Sequence, residues 1–196
     1  TDMGVKAIVI ACNTATSAAA KILREKYSKL PIIGIEPAVK PAAVFKENSK
    51  ILVMATPMTL KKEKFKNLIS SYNANQEILP LPCPGLVELI EDGKTDSLET
   101  KEFLEDLLKP YFDENIDSVV LGCTHYPFVK KLIREVFPYE VHVFDGGAGT
   151  ARETKRRLIV SDICNNPENV GKIKFLSSSQ EKKELSERLF NIYKNS

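Results

Sequence analysis

Two distant segments of this chain share one layout. Residues 5–14 read Val-Lys-Ala-Ile-Val-Ile-Ala-Cys-Asn-Thr, and residues 116–125 read Ile-Asp-Ser-Val-Val-Leu-Gly-Cys-Thr-His. Each is a short apolar run, then a small residue, a cysteine, small polar groups and a helix-like pattern. A β-branched run of this length suits a strand buried on both faces, as in a parallel sheet covered by helices. The repeat therefore places two thiols at the same point of two similar βα units, Cys12 in one and Cys123 in the other.

The rest of the chain continues the alternation. Strand patterns fall at 6–11, 31–35, 50–55, 77–81, 118–121, 140–144 and 172–176. Helical spacing falls after Asn13, over 60–72, at 84–90, over 98–115 with Pro110 as a kink, after Pro127, from Gly147 to about Val160, and over 181–193. Strands alternating with helices predict an α/β fold of doubly wound parallel sheets. The paired cysteine units predict two pseudo-symmetric lobes with the active site in the cleft between them. Residues 1–36 and 145–196 form the first lobe and 37–144 the second, with boundaries good to several residues.

Charge and cysteine content narrow the function. With 28 basic and 26 acidic residues the net charge is +2. No basic stripe carries interleaved aromatics, so nucleic acid is not an expected partner. No apolar run approaches a membrane span. The four cysteines, Cys12, Cys83, Cys123 and Cys164, form no CxxC pair. They read as reduced thiols of a cytoplasmic protein. Cys83 and Cys164 read as structural, as does His142, which alternates within a strand.

In an open α/β sheet, ligands sit beyond the carboxyl ends of the strands. Cys12 and Cys123 both fall there, each at the start of the next helix. Unpaired N–H groups at a helix start favour thiolate over thiol and can hold a carboxylate. Asn13, Thr14 and Thr124 add donors sized for a small acidic ligand. Two matched thiols are what a reaction needs if a base and an acid must act on opposite faces of one carbon. His125, two residues past Cys123, is placed to tune or protonate that thiol. Asp145-Gly146-Gly147 reads as a helix cap with a tight turn rather than a phosphate loop.

The segments Ala11-Cys12-Asn13-Thr14-Ala15-Thr16 and Leu121-Gly122-Cys123-Thr124-His125-Tyr126-Pro127 resemble the two signature segments of bacterial glutamate racemases, within the aspartate/glutamate racemase family, and the likeness runs on to the last helix. The resemblance implies racemisation of L- and D-glutamate without a cofactor or metal, by a two-base proton transfer. Cys12 would take the proton from D-glutamate and Cys123 from L-glutamate. It further implies Glu91 as an acidic residue near the cleft, assisting Cys12 or holding the substrate ammonium, and Thr56 and Thr59 as substrate-binding residues. The implied setting is supply of D-glutamate for peptidoglycan, with the protein a homodimer. Family members normally open with a strand and Asp-Ser-Gly and carry a later Pro-Tyr-Gly segment. Neither is present, so the chain is expected to lack roughly the first quarter of such a protein and to have little activity alone.

Other readings stay open. One is a racemase for a related acid such as aspartate. Another is a cysteine–histidine nucleophile acting on an acyl group. The third is a non-catalytic small-acid binder or thiol-metal protein, although Cys-Thr-His offers only two ligands where zinc needs three or four.

Overall fold

A computed structural model of the protein describes residues 3–72 and 75–194. The outer limits expected for the first lobe, residues 1 and 196, lie outside that range. The chain begins β1 (Ile8–Ile10), α1 (Asn13–Lys26), β2 (Ile32–Gly34) and α2 (Val39–Phe45). It continues β3 (Lys50–Ala55), α3 (Pro57–Leu60), α4 (Glu63–Ser70), β4 (Glu77–Pro82), α5 (Leu86–Glu91) and α6 (Leu98–Leu108). Then follow β5 (Ser118–Leu121), a 3-10 turn at Tyr126–Val129, α7 (Lys130–Val136), β6 (His142–Asp145), α8 (Gly147–Val160) and α9 (Gln180–Lys194).

The strands form two parallel sheets. β1 pairs with β2, and a four-stranded sheet runs β4-β3-β5-β6. The apolar stretches of β3 (residues 51–55) and β5 (residues 119–121) occupy the centre of the larger sheet, where both faces are covered. Period-2 alternation splits β3 between two layers. Leu52 and Met54 pack with Leu86, Ile90, Leu104, Leu108, Ile133 and Leu189 on one face. Ile51 and Val53 pack with Val39, Ala42 and Phe65 on the other. The result is a three-layer α/β/α unit with its core on both sides of β3 and β5.

The smaller sheet is thinner. Helix α1 buries Asn13, Thr16 and Ala20, and α8 lies against β2 without burying any residue. Helix α9 reaches across to the four-stranded unit, where Leu189 is buried and Leu185 packs beside it.

Several elements differ from the sequence patterns. The helix expected over 60–72 is two helices, because Lys62 is extended and restarts the chain after a short α3 capped by Thr56. The helix expected over 98–115 stops at Leu108 and tightens into a 3-10 turn around Pro110, which has no N–H to continue the ladder. Helix α2, with Pro41 in its first turn, had no counterpart in the sequence reading. The strand expected over 172–176 does not form: Phe175 instead meets Phe190 of α9 edge-on, at 5.6 Å between ring centroids, while Ile173 and Leu176 stay exposed.

Each strand that bears on the site ends at the same edge of its sheet. β1 delivers Cys12, β3 delivers Thr56, and β5 delivers Gly122 and Cys123. Gly122 is required by close approach. A Cβ there would stand 2.8 Å from the Met54 carbonyl oxygen and 2.9 Å from the Ala55 Cβ. Its own N–H donates to that same carbonyl at 2.7 Å. Gly122→Ala must push the β3 and β5 ends apart, and is expected to lower unfolding free energy by about 1–3 kcal/mol. Urea unfolding followed by circular dichroism checks this; an unchanged midpoint would contradict the packing.

Candidate active site

The two cysteine loops hold each other. Asn13, one residue past Cys12, donates Nδ2–H to the carbonyl of Gly122, one residue before Cys123, at 2.9 Å. Thr124, one residue past Cys123, donates its hydroxyl to the carbonyl of Ala11, one residue before Cys12, at 2.5 Å. The pair is reciprocal and joins β1 to β5 across the gap between the sheets. Asn13 is buried, and its Oδ1 has no partner among the described residues. Asn13 and Thr124, expected as substrate donors, thus have a first task in setting the spacing of the two loops.

Cys12 is exposed at the amino end of α1, with extended backbone and its carbonyl accepting from Thr16 N–H at 2.8 Å. Cys123 is half-buried. Burial pushes its thiol up from the ordinary value, and nearby Cys12 adds to the rise, while the amides of His125, Thr124 and Tyr126 pull it down. The net direction is upward. Sequence reasoning expected the helix-start N–H groups to win and favour the thiolate. At Cys123 the loss of water outweighs them, so this group rests as a thiol. Cys83 is buried after β4, and burial pushes its thiol up to about 12, which fits the structural role expected of it.

Beside Cys123 lies a short chain of titratable groups. His125 Nδ1 stands 3.8 Å from the Cys123 sulfur, and its Nε2 lies 3.2 Å from Glu91 Oε1 at the carboxyl end of α5. The ring nitrogen facing a carboxylate carries the proton in the neutral imidazole. With its proton at Nε2, His125 donates to Glu91 and presents a lone pair at Nδ1 to the thiol. Lys182 beside Glu91 holds that carboxyl below its usual range, with His125 contributing less. Glu91 therefore stands with Cys123 through His125.

Three hydroxyls converge at the starts of α1 and α3. Thr14 at the start of α1 lies 3.0 Å from Thr59 and 3.5 Å from Thr56, and Thr56 and Thr59 are 3.0 Å apart. Thr56 also caps α3 by accepting from the Thr59 N–H. Capping and clustering are thus compatible: the cap fixes the direction of a hydroxyl that the cluster uses. Among the described residues no three His, Cys, Asp or Glu side chains converge as a metal-binding group.

Sequence reasoning missed Lys182 and Arg188. They arrive from α9, far along the chain, and no local pattern distinguishes them from the other basic residues of an exposed helix face.

Residues 1–154 match the model of the Asp/Glu/hydantoin racemase family. The chain belongs to that family. Among curated proteins, the glutamate racemase of Clostridium perfringens is 52% identical over 191 residues, which is 96% of this chain and 74% of that protein. The chain thus spans about three-quarters of that relative's length. Among solved structures, glutamate racemase from Francisella tularensis in complex with D-glutamate aligns at TM-score 0.80 and 26% identity, covering 97% of this chain and 71% of that one. Escherichia coli glutamate racemase, in complex with L-glutamate and the activator UDP-MurNAc-Ala, aligns at TM-score 0.80 and 28% identity, covering 96% and 71%. The α/β architecture is therefore that of the racemase fold.

The raised Cys123 thiol sets a test. Its labelling by iodoacetamide, read by peptide mass spectrometry, is expected to rise at a more alkaline pH in the folded protein than in a denatured sample. Coincident pH profiles would contradict the effect of burial.

Proposed function

We propose that the protein carrying this chain interconverts L- and D-glutamate without a cofactor, using Cys12 and Cys123 as the two acid/base groups. The observation that carries the reading is the reciprocal pair of hydrogen bonds between the cysteine loops, in a chain half identical to glutamate racemases. In that pairing each cysteine is flanked on both sides by a bonded residue of its loop, which supports a site that uses both thiols. The lobes would be residues 1–36 with 145–196 and residues 37–144.

The proposed chemistry is a proton transfer through both thiols. From the D enantiomer, the Cys12 thiolate takes the α-proton and the Cys123 thiol, which rests protonated, delivers its proton to the opposite face. Cys12 ends as a thiol and Cys123 as a thiolate. From the L enantiomer the roles reverse: Cys12 enters as the thiol that delivers its proton, and Cys123 must first lose its own. His125 Nδ1 is the acceptor within reach, and Glu91 stabilises the imidazolium that results. The α-carbanion is the costly species. The threonine hydroxyls at Thr14, Thr56 and Thr59 and the loop amides are donors for the substrate carboxylates, where charge builds as the proton leaves. Asn13 and Thr124 hold the walls at a fixed separation, which keeps both sulfurs near the reacting carbon.

The same reading places the protein in the cytoplasm as a homodimer supplying D-glutamate for peptidoglycan. No helix among the described residues is long and apolar enough to cross a membrane.

The deciding experiment is incubation with L-glutamate in heavy water, reading enantiomer ratio and α-deuterium together. D-glutamate carrying α-deuterium is expected. Retained α-hydrogen with a trapped thioester would instead support acyl transfer. Aspartate turned over faster than glutamate would move the substrate assignment. Cys12→Ser and Cys123→Ser are each expected to cut turnover by about 10²–10⁴-fold, the scale of a lost acid/base group. Wild-type turnover in either variant would overturn the two-thiol scheme.

A further inference from the structure

Helix α9 converges on the Cys123 side of the site from two directions. Lys182 Nζ lies 2.5 Å from Glu91 Oε2, and Arg188 donates to the Glu91 carbonyl at 2.9 Å. At the other end of α9, the Tyr193 ring meets Phe128 of the 3-10 turn edge-on, at 6.0 Å between centroids. Leu189, buried in the main core, anchors the helix between these points. The guanidinium of Arg188 also closes over Gly93, where any Cβ would come within 3.3 Å of it.

The contacts on Glu91 have a direction. Its two carboxylate oxygens are divided, Oε1 to His125 and Oε2 to Lys182. The cation thus holds the far oxygen and turns the near one toward the imidazole. We propose that Lys182 is a positioning residue for Cys123: acting through Glu91, it fixes the His125 ring with Nδ1 toward the sulfur, so α9 completes one wall of the site and leaves Cys12 untouched. This rests on the racemase reading only in assigning Cys123 a proton to carry.

The other charged groups around Glu91 do not substitute for Lys182. Glu88 and Asp92 on its own helix segment are acidic. Lys94 is engaged by Glu99 at 2.9 Å and lies 3.9 Å from Asp92. Arg188 binds the Glu91 carbonyl rather than its carboxylate. Lys182 is also the largest contributor to the depressed Glu91 carboxyl. The sign follows: with Lys182 present the carboxylate persists to lower pH, and the His125 contact with it.

The chain has two histidines, His125 and His142. His142 sits exposed at the amino end of β6 against Phe45, which makes it an internal reference. The experiment combines the nitrogen-15 shifts of the His125 ring with iodoacetamide labelling rates of Cys12 and Cys123, measured by peptide. In Lys182→Met, His125 is expected to lose its preference for the Nε2-protonated form. Cys123 labelling should slow by about fivefold, the scale set by an ion pair half open to water. Cys12 and His142 should be unchanged. Lys182→Arg should restore both signals, and Lys183→Met, one residue along the same helix, should leave them at wild type. Glu91→Gln should reproduce the Lys182→Met changes, and the double variant should add nothing further.

Unchanged tautomer and labelling in Lys182→Met would overturn the proposal. So would equal slowing at Cys12, which would mean that α9 only supports the fold. Neither readout requires turnover. The expected coupling in a protein that racemises nothing would refute the racemase reading and leave this proposal standing; full racemisation with no coupling would refute this proposal alone.

Discussion

The reciprocal bonds between the cysteine loops govern the site. Each loop lends its carbonyl just before the cysteine and takes a donor from the residue just after the other cysteine. A net contribution near 1 kcal/mol for each bond is modest. Their value is geometric, because they tie a thin two-stranded sheet to a four-stranded one at the point where chemistry needs a fixed distance. The symmetry of the contact follows from the repeat in the sequence: similar loops, facing one another, meet through equivalent positions.

Equivalent position does not mean equivalent environment. Cys12 sits exposed at the start of a helix that packs on a two-stranded sheet. Cys123 is half-buried behind the full core of the larger unit and has a histidine, a carboxylate and a lysine stacked in series beside it. Burial raises one thiol, and the imidazole offers its proton a destination. A reaction that must run both ways through two sulfurs can use this difference, since one donor and one acceptor are needed at the start of each turnover. The three clustered threonine hydroxyls hold no formal charge, so they can bind an anion without adding to the electrostatic asymmetry between the thiols.

The parts legible in the sequence were those set by local pattern. β3 and β5 have the bounds that their apolar runs indicated, because short apolar runs of this length suit strands buried on both faces. The alignment of Cys12 with Cys123 was legible for the same reason. The strand expected at residues 172–176 was not formed, because alternation states only that a strand is possible. A strand also needs a neighbouring edge, and Phe175 found an aromatic partner on α9 instead. The break between α3 and α4 lies at Lys62, whose extended backbone no local residue pattern announces. The part played by Asn13 and Thr124 in joining the loops was hidden likewise: residue type showed that they could donate, and only the folded chain shows to what.

The contrast between the two sheets has a dynamic consequence. Amide hydrogens of β3 and β5 lie under two layers of side chains, so they exchange with solvent only when the larger unit opens as a whole. Those of β1 and β2 have α1 on one side and, through α8, a cover that buries none of its own residues. Any local opening of β1 that frees the Cys12 loop must first break the bonds of Asn13 and Thr124, whereas the Cys123 loop is also tied to the larger sheet through the Gly122 N–H on the Met54 carbonyl.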